Sequence, residues 1–226
     1  MADKGTKGKT RYRIMVVDDH PIVRSGLTQL INRESDLTVC GEASSSSEAL
    51  NAVDDFNPDL LLLDISIKGD NGIEVTKALR ESHPDLPVLI LSMHDEKLYA
   101  ERALGAGARG YVMKQEAPGT VLTAIRKVLE GTIYVSDSMT SRIIRDMMLT
   151  GMDKGKYRSG VKKLSDRELE IYELIGSGMT TRAIADKLNV SVKTVETHRD
   201  NIKSKLNIDT NTELIRRSML WMLDES

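Results

Sequence analysis

Asp59-Leu60-Leu61-Leu62-Leu63-Asp64 is the stretch whose reading decides the fold. Four consecutive leucines bounded by carboxylates suit a short strand covered on both faces, as in a parallel sheet with helices on either side. Periodicity alone would also allow a piece of buried helix. The preceding Asn57-Pro58 is disfavoured inside a helix, and the run is too short for one, so the strand is preferred. A carboxylate at the C-terminal end of such a strand sits where open α/β sheets place their chemistry. Asp64 is therefore the candidate reactive group.

The chain has 226 residues, enough for two modest domains. Hydrophobic content of 40% and charged content of 29% are ordinary for a globular protein. No apolar run is long enough to span a membrane, so no membrane partner is expected. Residues 1–12 are rich in Lys, Gly and Thr without an apolar segment, which predicts a flexible basic tail and not a signal peptide. Cys40 is the only cysteine, which excludes an internal disulfide and suits the reducing cytoplasm. The histidines at 20, 83, 94 and 198 show no metal-binding spacing. Residues 13–136 hold 12 Lys or Arg against 19 Asp or Glu, whereas residues 161–226 hold 11 of each. The second half thus lacks a bulk basic signature of nucleic-acid binding, and any such role must rest on local pattern.

Apolar runs alternate with amphipathic stretches through residue 130. Strands are predicted at 13–17, 37–43, 60–64, 87–92 and 110–113, and helices at 21–32, 46–56, 72–81, 96–106 and 118–130. Five βα units imply a parallel sheet with helices on both faces. Polar residues then gather at one edge: Asp18 and Asp19 after the first strand, Asp64 at the third, Ser92 at the fourth and Lys114 after the fifth. Three convergent carboxylates must protonate or hold a cation, and an all-oxygen site of this kind suits Mg2+. With a metal and the Lys114 ammonium on either side, a phosphoryl group on Asp64 would have its charge neutralised. An Asp-Asp pair alone is most simply a solvated turn, Ser92 alone a loop serine and Tyr111 alone a core aromatic; the set decides. Residues 105–110 match GxGxxG but follow a helix and precede a strand, the reverse of the dinucleotide-binding context. Glycine there more simply ends a helix.

On these residues, with Tyr111 three before the lysine, the N-terminal half resembles a response-regulator receiver domain, a five-stranded, doubly wound, flavodoxin-like α/β fold. The resemblance implies that Asp64 takes phosphate from a sensor histidine kinase as an acyl phosphate. It implies that Asp18, Asp19, Asp64 and the backbone carbonyl of Ser66 hold Mg2+. Lys114 and Ser92 would contact the phosphoryl group, and Ser92 and Tyr111 would form the switch pair, Tyr111 turning inward. The chain departs from the pattern at Ile67-Lys68, where receivers often carry Met-Pro; a cation near the site and a less rigid loop bear on the lifetime of the phosphorylated state.

Beyond residue 130 a linker helix is predicted at 138–149, with Ile143, Ile144, Met147 and Met148 on its apolar side. A tether follows at 150–163. Ser165-Asp166-Arg167-Glu168 fits a capping box opening a helix to Ile175, closed by Gly176 and Gly178. Thr180 or Thr181 caps a second helix, and Asn189-Val190-Ser191 turns into a third at 192–206. Helix, turn and helix at this spacing form a helix-turn-helix. Val195, Ile202 and Leu206 face inward with His198 on the stripe's edge, where a packed histidine is expected before a base reader. A last helix at 211–223 completes the core and leaves apolar residues for a second copy.

From Leu164-Ser165-Asp166-Arg167-Glu168, Gly178, residues 180–184 and residues 190–198, this half resembles a LuxR-type helix-turn-helix, and the whole chain the NarL/FixJ response regulators. The resemblance implies that Lys193, Glu196, Thr197 and Asp200 face base edges of double-stranded DNA, with Thr181, Thr194, Arg199, Asn201, Lys203 and Lys205 toward phosphates. Acids at 196 and 200 could accept from cytosine amino groups or lower non-specific affinity. The expected division is a tail at 1–12, a receiver at 13–132, a linker at 133–162 and a four-helix DNA-binding domain at 163–226. The expected function is phosphorylation-switched transcription regulation by a homodimer on paired half-sites, without enzymatic turnover beyond self-phosphorylation and slow autodephosphorylation. Two other readings are a Mg2+-dependent aspartyl-phosphate phosphohydrolase, which would want an acid where Ser66 stands, and a ligand-sensing regulator that does not use phosphorylation.

Overall fold

Leu60, Leu61, Leu62 and Leu63 form the third strand of a five-stranded parallel sheet, and none of the four is more than 1% exposed. In the computed structural model, which describes residues 11–68, 71–148, 161 and 163–225, the strands are β1 (Tyr12–Val17), β2 (Leu37–Ala43), β3 (Leu60–Leu63), β4 (Val88–Ser92) and β5 (Gly110–Met113). Their order is β2-β1-β3-β4-β5, all parallel, so the chain reverses its direction of winding between β1 and β3. Helices α1 (Pro21–Asn32), α2 (Ser46–Phe56), α3 (Gly72–Ser82), α4 (Glu96–Ala106) and α5 (Pro118–Leu129) make the crossovers. Alternate strand residues point to opposite faces. Ile14, Val16, Leu60, Leu62, Leu89, Leu91 and Val112 pack with Ile31 of α1 and with Val121, Ile125 and Val128 of α5. Met15, Val17, Leu61, Leu63 and Ile90 are equally buried on the other face.

The helix ends follow local chemistry. Ser45, Asn71 and Asp95 cap α2, α3 and α4 by accepting backbone N–H bonds. Gly107 ends α4 at φ 116°, a left-handed conformation that glycine adopts without strain, so the GxGxxG match is a helix terminus. The extended segment after α5 lies parallel to β5: Tyr134 N donates to Arg109 O at 3.0 Å and Tyr111 N to Tyr134 O at 2.8 Å. Helix α6 (Asp137–Met148) follows. Among its described side chains Met139 is buried and Ile144 is 48% exposed, and Met147 and Met148 of the expected apolar side lie outside the described side chains. Residues 1–10 of the expected tail and most of the tether at 150–163 lie outside the described residues.

The chain divides into two compact units, Met1–Ser141 and Arg142–Ser226. In the second, α7 (Asp166–Gly176), α8 (Thr181–Lys187), α9 (Val192–Leu206) and α10 (Asn211–Glu225) form a small all-α domain. The capping box is present, with Glu168 N donating to Ser165 Oγ and Ser165 N to Glu168 Oε2. Gly176 closes α7 from inside the helix: a Cβ there would lie 2.7 Å from Ser218 O, so glycine lets α10 approach. Val195 and Ile202 of α9 are fully buried, as is Leu214 of α10. The rings of Tyr172 and Trp221 sit 5.5 Å apart.

His198 is packed on the edge of this core, but its Nδ1 is buried without a hydrogen-bond partner. Burial, with Arg167 and Lys205 nearby, lowers its pKa from the ordinary 6.5. The unfolded chain then binds the proton more readily, so the contribution of His198 to stability is full above about 6.5 and is lost as pH falls through the folded value. Trp221 is the only tryptophan, so its fluorescence follows unfolding of this unit within the full-length chain. The unfolding midpoint should drop between about pH 7.5 and about pH 5.5, and His198→Gln should flatten that dependence. A native midpoint constant over this range would refute the assignment.

Candidate functional site

Sheet hydrogen bonding continues one residue past the strand ends and places the site. Asp18 N donates to Ala43 O, Asp64 N to Val17 O and Lys114 N to Ser92 O, at 3.2, 2.9 and 2.8 Å. The three side chains meet at the point where the strand order reverses, as expected of an open α/β sheet. Lys114 Nζ lies 2.6 Å from Asp18 Oδ2 and 2.7 Å from Asp64 Oδ2. Both carboxylates are almost fully buried, at 1% and 4% exposed. Burial, opposed by Lys114 and reinforced by Asp18, pushes the Asp64 carboxyl up to about 6. Burial also works against the Lys114 ammonium, but Asp64 and Asp18 outweigh it and hold its pKa above the ordinary value.

Asp19 stands beside them, more open to solvent. Its Oδ1 is buried and has His20 Nδ1 2.6 Å away as its neighbour. Ligand atoms of Asp18, Asp19, His20 and Asp64 all lie within 4.8 Å of one another. Three carboxylates grouped this closely form an acidic pocket fitted to a hard divalent cation. Sequence spacing did not reveal His20, because it joins through a one-residue turn and not through a ligand repeat. Its backbone N donates to Asp18 Oδ1 at 2.8 Å, and Arg24 holds the Asp18 carbonyl at 2.6 Å.

The other predicted residues surround this group. Ser66 N approaches Asp64 Oδ1 at 3.3 Å, and Ser66 Oγ is 2.8 Å from His94 Nε2. Ser92 is fully buried and its Oγ accepts from His94 N at 3.1 Å. Tyr111 is also fully buried, with its hydroxyl donating to His94 O at 2.8 Å, so it already occupies the inward position. His94, with its ring 4.5 Å from that of Tyr99, joins all these groups, which sequence reading missed.

In the second unit Lys193, Glu196, Thr197, Asp200 and Asn201 are exposed on one side of α9. Thr194 lies at its capped N-terminus, with Ser191 Oγ accepting from Thr194 N. The remaining predicted contacts are engaged within the fold. Arg199 donates to Thr181 Oγ1 at 3.1 Å, and Lys203 pairs with Asp200 at 3.0 Å. Lys205 pairs with Glu168 at 2.6 Å. Burial works against the Glu168 carboxylate, yet Lys205 and Ser165 keep its pKa below the ordinary value.

Comparison with known proteins agrees with both halves. Residues 14–126 match the response regulator receiver domain, and residues 162–218 match the bacterial regulatory proteins of the luxR family. The oxygen regulatory protein NreC of Staphylococcus carnosus is 36% identical over 209 residues, covering 92% of this chain and 96% of that protein. A LuxR-family two-component response regulator from Aurantimonas sp. SI85-9A1 is 36% identical with a TM-score of 0.58, over 61% of this chain and 99% of that one. RcsB of Salmonella enterica serovar Typhimurium, solved on promoter rprA with phosphomimetic BeF3-, is 25% identical with a TM-score of 0.60, over 92% and 98%.

One glycine sets the position of the Asp64 main chain. Gly72 N donates to Ile65 O at 2.7 Å, and a Cβ on Gly72 would lie 2.2 Å from Asp64 O and 2.9 Å from Ile65 Cα. Backbone meets backbone there, so a side chain must displace Asp64. Gly26 of α1 has open space around its Cβ position. Gly72→Ala should therefore cost about 1–3 kcal/mol in denaturant unfolding, whereas Gly26→Ala should be neutral or stabilising. Equal effects of the two substitutions would refute this role for Gly72.

Proposed function

Because the chain belongs to the NarL/FixJ-type response regulators of two-component systems, with a receiver domain and a LuxR-type DNA-binding domain, we propose that Asp64 is its phosphoacceptor and that phosphorylation there switches sequence-specific DNA binding. The observation that carries this reading is the buried Lys114 ammonium lying between Asp18 and Asp64. An Asp64 oxygen attacks the phosphorus of a phosphohistidine on a sensor kinase; the P–N bond breaks and the imidazole leaves with its electron pair. Lys114 faces the growing negative charge of the phosphoryl oxygens without needing to reorganise. Asp18, Asp19, Asp64 and the backbone carbonyl of Ser66 would hold Mg2+, and the close grouping of the three carboxylates fits that use. When bound, the ion supplies charge neutralisation at the phosphoryl oxygens. The family is one of DNA-binding regulators and not of ordinary enzymes; in this reading the turnover here is limited to self-phosphorylation and slow hydrolysis.

Ser92 leaves His94 N for a phosphoryl oxygen, and Tyr111, already inside, is held in that place. The functional division is a receiver at 13–132, a linker at 133–162 and a DNA-binding domain at 163–226. Lys193, Glu196, Thr197 and Asp200 read base edges from the exposed side of α9, with Thr181, Thr194, Arg199, Asn201 and the ion-paired Lys203 and Lys205 toward phosphates. RcsB bound to promoter DNA supports this placement. Exposed Ile215, Met219 and Leu220 on α10 suit a homodimer on two half-sites. Among the described residues no helix is long and apolar enough to cross a membrane. The single Cys40 fits a cytoplasmic site.

With Mg2+ and acetyl phosphate the chain should gain a phosphoryl group on Asp64, located by mass spectrometry of its peptides. Labelling that persists in Asp64→Ala would overturn the assignment. Lys193→Ala combined with Thr197→Ala should weaken specific DNA binding about tenfold or more, measured on a selected operator fragment. An unchanged footprint would reject α9 as the reading helix.

A further inference from the structure

A line of contacts runs from the phosphoacceptor site to the start of α6, and the chemistry at Asp64 makes no use of its far end. The loop from β4 to α4 is held at His94 by Ser92 on its amide, Tyr111 on its carbonyl and Ser66 on its ring. Two residues further on, Glu96 opens α4 and is only 8% exposed. Both of its carboxylate oxygens are taken by one residue of the linker: Ser136 N donates to Oε1 at 2.9 Å, and Ser136 Oγ donates to Oε2. The same Ser136 Oγ accepts from Met139 N at 3.1 Å and so caps α6. Just before it, Tyr134 continues the sheet beside β5, where a Cβ on Gly110 would come within 2.9 Å of Tyr134 O.

A buried carboxylate without partners is costly, so Glu96 favours the state in which Ser136 stays. We propose that the Glu96–Ser136 pair is a latch, holding the first turn of α6 on the receiver fold and opening when Asp64 is phosphorylated. This rests on the reading of Asp64 as phosphoacceptor. Once Ser92 turns to a phosphoryl oxygen, the His94 amide loses its acceptor and the loop resettles. Glu96, two residues along on the same segment, is drawn out of register with Ser136. The signal thereby leaves through α4 and frees the beginning of the helix that leads to the DNA-binding half.

Amide hydrogen exchange of the full-length chain, read on peptides covering residues 134–140, tests the latch. In the native chain exchange there should quicken about tenfold once Mg2+ and acetyl phosphate are added. Glu96→Ala should exchange at the fast rate without phosphodonor and change little on adding it. Ser136 keeps its capping hydroxyl in that variant, so fast exchange reports a lost latch and not a lost cap. Glu96→Gln, which keeps the shape but lacks the charge, should fall between the two and serves if the alanine variant does not fold. A native chain that carries phosphate on Asp64 by intact mass yet shows unchanged exchange would overturn the latch alone. A native chain that takes up no phosphate would overturn the phosphoacceptor reading, and the opening with it.

Discussion

The ammonium of Lys114 between the carboxylates of Asp18 and Asp64 is the constraint on which the first unit depends. Three strand ends deliver these groups, and two like charges brought together in so dry a place repel strongly unless a cation stands between them. Such a triad is weak evidence for added stability, since desolvation offsets most of the Coulomb gain. Its value is in position. The ammonium holds both carboxylates toward one point, so in the proposed reading the charge arrangement met by an incoming phosphoryl group exists beforehand.

The two units solve opposite electrostatic problems. The first concentrates acid and must import positive charge, through Lys114 and through any divalent ion. Within the second, residues 161–226 carry equal numbers of acidic and basic residues and tie several of their cations to acids, as in Lys205 with Glu168 and Lys203 with Asp200. Pairing of this kind lowers the free positive charge that drives non-specific attachment to phosphates. In the proposed reading, specific binding then depends more on the exposed side of α9 than on bulk attraction.

Much of the fold was legible because burial on both faces leaves a plain mark: Leu60 to Leu63 have no polar alternation, and Pro58 with the shortness of the run favours the strand over a helix. The convergence of Asp18, Asp64 and Lys114 followed from parallel strands alone. What escaped was the wiring behind them. His94 and Glu96 look like ordinary polar residues at a helix start, and their partners, Ser66 and Ser136, lie 28 and 40 positions away in sequence. No periodicity encodes such loop contacts; they arise from how separate crossovers settle against one another.

The short extended segment at Tyr134 has a further consequence. A parallel sheet ends in two strands with unpaired backbone groups, and β5 is one of them. By pairing with Arg109 and Tyr111, Tyr134 occupies part of that margin, as a selvedge finishes the side of a woven cloth. If this segment were drawn away, donors and acceptors on β5 would face solvent and become a template for a foreign strand. Aggregation resistance of the receiver half is thus tied to where its linker begins, and shortening the linker from this end would trade solubility for freedom of the helix.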